Sequence, residues 1–139
     1  MSECKRASHE IEHCVAFYEL DPMQIVWHGN YFQYFEDARR GLLEKHGINL
    51  YVFYDKYNYL FPVIKTSSKY IYPLRYGDEF VCKATLMECK MTLVVDFEIR
   101  LKKDGKICAR GRTEQVTVKM PEMEIMFTIP QEIRTALKC

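Results

Sequence analysis

A short acidic turn ahead of one amphipathic helix is the feature that most constrains this chain. Asp21 is followed by Pro22, which disfavours a helical backbone at the preceding residue, so we expect the Asp21 carboxylate to lie in a loop. The apolar stripe Tyr31, Phe32, Phe35, Ala38, Leu42 and Leu43 has spacings of three and four, with Arg39 among the polar residues between them, and this pattern predicts a helix over residues 30–46. Gly47 then follows, as is typical of a helix C-terminus. The helix is therefore predicted to be largely buried, with a carboxylate just upstream of it.

The chemistry that suits this pairing is acyl transfer. The first turn of a helix carries backbone N–H groups without intrahelical acceptors and a partial positive charge, so it stabilises an oxyanion. His28-Gly29-Asn30 is the predicted helix start. A carboxylate on a loop that curls back towards this turn could attack a carbonyl whose oxygen points at those amides, or activate water to do so.

The segment DPMQIVWHGNYFQYFEDAR, residues 21–39, resembles the active-site segment of the hotdog-fold acyl-CoA thioesterases of the 4-hydroxybenzoyl-CoA thioesterase and YbgC type. That pattern is roughly Asp, three variable residues, two aliphatics, an aromatic, His or Tyr, one variable residue, Asn or Ser, and Tyr. The resemblance implies that Asp21 is the catalytic carboxylate and that the backbone amide of His28, with that of Gly29 beside it, polarises the thioester carbonyl. It also implies a homo-oligomer, either a dimer or a tetramer, with the site between protomers.

Two positions depart from the family pattern. Gln24 stands where the family usually has Gly, and Glu19-Leu20-Asp21 stands where it usually has an Asp-x-Asp pair. The first departure bears on the acyl pocket or the backbone of the loop, so it affects substrate choice more than reaction type. The expected substrate contacts are Gln24, Trp27, Asn30, Tyr31 and Lys90.

Lys90 is the only basic residue that matches the region near residues 88–92, where the family often binds the phosphates of coenzyme A. Lys69, Arg75 and Lys83 are weaker candidates, from charge alone. Coenzyme A is part of the substrate, and no separate cofactor is expected. An acyl carrier protein is equally anionic and would interact with the same kinds of residue.

Alternatives remain at each site residue. Asp21 could form an Asx turn or a helix cap, and Asn30 could be the N-cap of the helix. The His28 side chain could be a general acid, a substrate contact or a structural donor. Asp21 could act as a nucleophile or as a general base. A hotdog domain that binds an acyl thioester without hydrolysing it is the main competing function, and a hydratase is less favoured because no hydratase-like motif is visible.

The rest of the chain predicts an α+β fold in a single domain, residues 1–139. Residues 8–20 are predicted to be a strand and residues 48–60, rich in Tyr, to contain a short helix that is either core or the lining of an aromatic pocket. Further strands are predicted over 61–74, 79–89, 92–102, 107–119 and 123–129, with a bulge at Gly111 and a terminal helix that begins around Pro130. Side chains alternate between two faces over 79–89, with Phe80 on one of them, and over 92–102, with Phe97 on the inward face. A curved antiparallel sheet of this kind needs a cover, and the apolar stripe of helix 30–46 supplies one. This is the hotdog arrangement that the motif implies.

Charge, cysteine spacing and hydropathy argue against several classes of function. Twenty basic and nineteen acidic residues give a net charge of +1, which provides no global field for nucleic acid or an anionic membrane. The six cysteines are scattered without a Cys-x-x-Cys pair, so we expect reduced thiols and no metal site. The first residues lack the apolar run of a signal peptide, and no stretch reaches transmembrane length, which together predict a cytoplasmic protein.

Overall fold

The structure, a computed structural model, describes residues 6–139 and has the α+β hotdog architecture. Three α-helices are present in this range: α1 Tyr31–Lys45, α2 Leu50–Tyr57 and α3 Gln131–Leu137. The strands are β1 Ser8–Cys14, β2 Tyr59–Leu60, β3 Val63–Tyr70, β4 Glu79–Glu88, β5 Leu93–Leu101, β6 Ile107–Gln115, β7 Thr117–Lys119 and β8 Glu124–Met126. The order predicted from the sequence, a strand, a long helix and then a run of strands, is confirmed.

The main sheet is antiparallel, and its strand order is β1-β4-β5-β6-β3. Strands β4 and β5 alternate between buried and partly exposed residues, as the sequence predicted, because one face packs against the core. A second sheet joins β2, β7 and β8. Strand β3 is an edge of the main sheet and pairs only with β6 among the described residues.

Helix α1 lies across the inner face of the main sheet. The rings of Phe35 and Phe97 stack with their centroids 4.6 Å apart, and the rings of Tyr34 and Phe80 meet edge-on at 4.8 Å. Gly111 lies beneath Phe35, since a Cβ atom there would be 2.5 Å from Phe35 Cε2. These contacts fix the rotation of the helix and therefore the position of its first turn.

Several sequence predictions need correction. The first strand does not run to residue 20: it ends at Cys14, because the chain turns into a 3-10 turn over Phe17–Glu19. Gly111 is not a bulge, since it pairs in register with Phe97 and Ser68, and its role is to leave room for Phe35. The strand predicted over 107–119 is broken at Val116, where the chain passes from the main sheet to the second one.

The cysteine prediction was partly wrong. Cys89 and Cys139 form a disulfide with their Cα atoms 6.0 Å apart, which joins the end of the chain to the β4–β5 turn. Cys14, Cys82 and Cys108 are free thiols, and Cys4 lies outside the described residues. None of the helices within residues 6–139 is long and apolar enough to cross a membrane.

Candidate active site

The loop that carries Asp21 is a tight hairpin. Leu20 and Val26 form an antiparallel bridge, and the Asp21 N–H donates to the Ile25 carbonyl at 2.8 Å. At the tip, Asp21 Oδ1 accepts a hydrogen bond from the Met23 N–H at 2.8 Å, which is an Asx turn. The Asx turn predicted as an alternative role for Asp21 is therefore present, but it uses only one carboxylate oxygen. The other oxygen, Oδ2, has no hydrogen-bond partner among the described residues.

Gln24 closes this hairpin with a left-handed backbone, φ = +66°. A glycine adopts this conformation without steric cost, whereas a residue with a Cβ atom does not. Although Gln24 replaces the glycine that is usual in the family, the backbone keeps the conformation that glycine favours. The Gln24 side chain is exposed and does not line the cleft described below.

Glu19 anchors the hairpin to the rest of the fold. Its carboxylate is buried, and it accepts hydrogen bonds from the Ala16 N–H at 2.7 Å, from Tyr34 Oη at 2.7 Å and from the His13 ring at 2.9 Å. Burial raises the pKa of Glu19, but these three donors and the charge of His13 outweigh it, so the pKa lies below its ordinary value. The Glu19 backbone carbonyl accepts two more hydrogen bonds, from the Trp27 N–H and from Asn30 Nδ2.

The helix start consists of a 3-10 turn, His28–Asn30, which leads directly into α1. Within residues 6–139, the His28 and Gly29 N–H groups make no hydrogen bond. The Trp27 ring lies across Gly29, because a Cβ atom at Gly29 would be 2.4 Å from that ring. Two donors are therefore available at the positive end of a fifteen-residue helix.

Asp21 and His28 line the same cleft, which has a volume of about 350 Å³. The wall opposite the loop comes from the end of β3 and the residues after it, where Tyr70 Oη donates to the His28 carbonyl at 3.3 Å. Tyr31 is buried at the base of the cleft, 4.8 Å from Tyr70 between ring centroids, and burial raises the pKa of Tyr31 to about 12. The remaining lining residues are apolar or aromatic: Met23, Ile25, Val26, Ile71, Tyr72 and Pro73.

The other residues predicted from the sequence lie outside this cleft. Trp27 is half exposed. Asn30 occupies the N-cap position of α1, but its side chain makes no capping hydrogen bond and donates to the Glu19 carbonyl instead. Lys90 lies in the turn after β4, whereas the Asp21 loop is next to the start of that strand. Ten strand residues separate the two, roughly 30 Å. Within one chain, Lys90 is not part of the cleft.

Sequence reasoning missed Tyr70, Tyr72 and Lys106. Lys106 Nζ lies 4.0 Å from the centre of the Tyr72 ring, and the Arg75 guanidinium lies 6.0 Å from it. No local pattern marks these residues, because the cleft brings together parts of the chain that are about 50 residues apart. Glu19 lies next to the motif, but the sequence predicted no structural role for its carboxylate.

Comparison with protein families decides the classification. Residues 23–120 match the family model described as thioesterase superfamily, which is more than half of the chain. The chain belongs to the thioesterase superfamily. A relative in Aquifex aeolicus strain VF5, named "Putative esterase", agrees: this thioesterase-superfamily chain is 32% identical to it over 127 residues, which cover 89% of the chain and 93% of the relative.

Solved structures of thioesterases share the fold. A 1,4-dihydroxy-2-naphthoyl-CoA thioesterase from Synechocystis superposes with a TM-score of 0.86 at 20% identity, covering 94% of this chain and 96% of that one. A mutant 4-hydroxybenzoyl-CoA thioesterase in complex with 4-hydroxybenzoyl-CoA superposes with a TM-score of 0.84 at 15% identity, covering 94% and 99%. The resemblance inferred from residues 21–39 and the hotdog fold that it implied are therefore both confirmed.

Proposed function

We propose that this thioesterase-superfamily protein hydrolyses an acyl-CoA thioester to a free acid and coenzyme A, with Asp21 as the catalytic carboxylate. One observation supports the proposal: Asp21 and His28 line the same cleft, and the His28 N–H at the helix start makes no hydrogen bond among the described residues. The catalytic group is Asp21, and the oxyanion donors are the N–H groups of His28 and Gly29. The His28 imidazole has no assigned step.

The thioester carbonyl binds with its oxygen towards the His28 and Gly29 amides, which stabilise the charge that develops on that oxygen. In one version, an Asp21 oxygen adds to the carbonyl carbon, the carbon–sulfur bond breaks and coenzyme A leaves as a thiolate. Water then hydrolyses the mixed anhydride and regenerates Asp21. In the other version, Asp21 takes a proton from a water molecule that attacks the carbonyl itself. The thiolate is a good leaving group, since thiols are far more acidic than alcohols.

The phosphates of coenzyme A are assigned to Arg75 and Lys106 rather than to Lys90. Both cations lie against Tyr72, a lining residue of the Asp21 cleft, whereas Lys90 lies at the far end of β4. Lys69 and Lys83 lie with Arg110 and Arg112 on the outer face of the sheet, and neither lysine lines the Asp21 cleft. An acyl carrier protein would be held by the same cations and remains the alternative carrier.

An aromatic or medium-sized acyl group fits the cleft, because Tyr31, Tyr70 and Tyr72 line it. The two solved thioesterases named above act on hydroxylated aryl-CoA esters according to their names, which favours the same class here. The non-catalytic alternative, an acyl-thioester-binding hotdog protein, has no specific observation in its favour.

A homo-oligomer is part of the proposal. Strand β3 has a free edge among the described residues, and its exposed apolar side chains include Val63, Ile64 and Tyr70. Twofold pairing of β3 with a second copy would bury these residues and would bring a second chain to the Tyr70 side of the cleft. Ile64→Lys should therefore shift the protein towards monomer in light scattering, and Ile125→Lys, at an equally exposed isoleucine in β8, should not.

The function is tested by incubating the protein with a panel of aromatic, branched and straight-chain acyl-CoAs and the matching acyl carrier proteins, while free thiol is followed over time. The proposal expects catalytic release of thiol from at least one acyl-CoA. Tight binding without release from any member of the panel would instead establish the non-catalytic alternative.

A further inference from the structure

The outer face of the main sheet carries a cavity that thioester hydrolysis at Asp21 does not use, and we propose that it binds an anion with a chain of phosphate groups. We call it the outer trough; its volume is about 560 Å³. Four basic and two acidic side chains line it, all of them on strands β3 to β6. Although the whole chain is close to neutral, this face therefore carries a local excess of positive charge.

The outer trough and the Asp21 cleft lie on opposite faces of the sheet. Successive residues of a strand point to opposite faces, so Lys69 lines the trough and Tyr70 lines the cleft. Phe97 and Gly111 contribute the floor of the trough, because both face inward against α1. Pairing of β3 with a second copy would extend the sheet at its edge and would leave the outer face open. A ligand in the trough is therefore separate from the thioester site.

One side of the trough is a row of charged side chains in register across four strands. Lys69 of β3 is opposite Arg110 of β6. Arg110 is also opposite Glu98 of β5, which is opposite Lys83 of β4. Like charges directly opposite one another destabilise a sheet, and Lys69 with Arg110 is such a pair. A bound anion would offset this repulsion.

The two carboxylates of the trough are already paired with arginines. Asp96 accepts hydrogen bonds from Nε and Nη2 of Arg112. Glu98 accepts them from the Nε atoms of Arg100 and Arg110. The carboxylate side chains are 35% and 28% exposed, whereas those of Arg112 and Arg110 are 54% and 56% exposed. A ligand that approaches from solvent therefore meets the guanidinium groups first.

Donors remain available for such a ligand. A guanidinium has five N–H donors, and within residues 6–139 Arg110 uses only its Nε, while Arg112 keeps Nη1. The ammonium groups of Lys69 and Lys83 take part in none of the ion pairs of the described residues. Phosphate oxygens accept pairs of hydrogen bonds from guanidinium groups and bind ammonium groups as point charges. The free donors of the trough therefore match a phosphate ligand.

The spread of the cations favours a chain of phosphates over a single ion. Lys69 and Lys83 are on strands that two other strands separate, which places their Cα atoms roughly 14 Å apart. A polyphosphate distributes its charge along its length and can contact cations at both ends of this row. Among the described lining residues, Phe97 alone is aromatic, and its ring stacks on Phe35 in the core. Recognition therefore depends on the phosphates rather than on a ring.

Binding is tested by isothermal titration calorimetry at low ionic strength with tripolyphosphate, orthophosphate and ATP. Wild type should bind tripolyphosphate at least about 10-fold more tightly than orthophosphate. ATP distinguishes the two sources of such a chain: tighter binding of ATP than of tripolyphosphate assigns a nucleoside polyphosphate, and equal or weaker binding assigns inorganic polyphosphate. The affinity should fall as salt is added, because the four cations are exposed.

Lys69→Ala and Lys83→Ala test the location of the site. Both lysines are exposed and make no ion pair among the described residues, so both variants should fold as wild type does. Each should raise the Kd for tripolyphosphate about 3- to 10-fold, and the double variant should raise it about 10- to 100-fold. Lys119→Ala is the matched control, because Lys119 is an exposed lysine on β7 of the second sheet. Its Kd should equal that of wild type.

Three results would overturn the inference. The first is no binding of tripolyphosphate by folded wild type at low ionic strength, and the second is equal affinity for tripolyphosphate and orthophosphate. The third is binding that Arg75→Ala abolishes and the double lysine variant leaves unchanged, since this would place the phosphates beside the Asp21 cleft. The proposed thioesterase activity is measured by thiol release, so failure of either proposal leaves the other standing.

Discussion

The phenol oxygen of Tyr34 lies 2.7 Å from Glu19 Oε2, and this hydrogen bond joins α1 to the loop that carries Asp21. The two residues are 15 positions apart, and both are buried. Because the same carboxylate also binds the Ala16 N–H and His13, the loop and the helix are held as one unit. Burial and the negative charge of Glu19 both raise the pKa of Tyr34, which keeps the phenol protonated as a donor.

Glu19→Gln should loosen this unit. An amide cannot accept all three hydrogen bonds as a carboxylate does, so we expect the free energy of unfolding to fall by about 1–3 kcal/mol in denaturant titration. The rate of thioester hydrolysis should fall as well, because the position of Asp21 depends on the loop. Glu12→Gln is the control: Glu12 is an exposed carboxylate on β1, paired with Lys102, and its loss should change stability by less than about 1 kcal/mol. Equal effects of the two substitutions would contradict the role given to Glu19.

The lowered pKa of Glu19 also predicts a dependence of stability on acid. A carboxyl group whose pKa is lower in the folded state contributes stability above its unfolded pKa, and that contribution is lost as the pH falls through the folded value. Stability should therefore decrease on acidification below the ordinary value of 4.5. In Glu19→Gln, the loss of stability between about pH 5 and about pH 3 should be smaller than in wild type. Identical pH profiles would exclude Glu19 as a contributor.

Gln24 should be a site where glycine stabilises the protein. At φ = +66° the side chain adds strain, and its removal should outweigh the greater freedom of glycine in the unfolded chain, for a gain of up to about 1 kcal/mol. Gln33→Gly, at an exposed position inside α1, should instead cost about 1 kcal/mol, because glycine is a poor helix former. Thermal unfolding of both variants makes the comparison, and a destabilised Gln24→Gly would show that the turn is not strained.

Removal of the cations beside Tyr72 should weaken substrate binding rather than catalysis. Arg75→Ala and Lys106→Ala should each raise the KM for an acyl-CoA about 3- to 10-fold, equivalent to about 0.7–1.4 kcal/mol, with little change in kcat. The effect should shrink at high salt, because both side chains are exposed. Lys90→Ala tests the residue that the sequence favoured. A larger effect there than at Lys106 would return the phosphate site to the β4–β5 turn.

The sequence predicted the parts of the fold that repeat with a local period. The alternation in β4 and β5 and the three-and-four spacing in α1 were enough to place Phe80, Phe97 and Phe35 in the core. The helical period of α1 nevertheless predicted the burial of two residues wrongly. Phe32 was assigned to the buried stripe but is 39% exposed, and Arg39 was assigned to the polar face but is 5% exposed. The buried Arg39 guanidinium pairs with Glu36 one turn earlier and donates to the Thr113 hydroxyl of β6, and no local rule anticipates the second partner.

The sequence predicted the residues of the candidate site only where they lie close together along the chain. Asp21, His28 and Tyr31 lie within one motif, and the structure brings them to one cleft. Tyr70 reaches the same region through the pairing of β3 with β6, and Lys106 lies immediately before β6. This side of the cleft depends on the pairing of distant strands, which the spacing of residues along the chain does not predict.

The central claim is that the carboxylate at position 21 drives thioester hydrolysis. The most direct measurement is the kcat for thiol release from the best acyl-CoA, compared between wild type, Asp21→Asn and Asp37→Asn, where Asp37 is an exposed carboxylate on α1. The account predicts that Asp21→Asn lowers kcat by at least about 100-fold with the fold and oligomeric state unchanged, and that Asp37→Asn matches wild type. An Asp21→Asn variant that retains the wild-type kcat would contradict it.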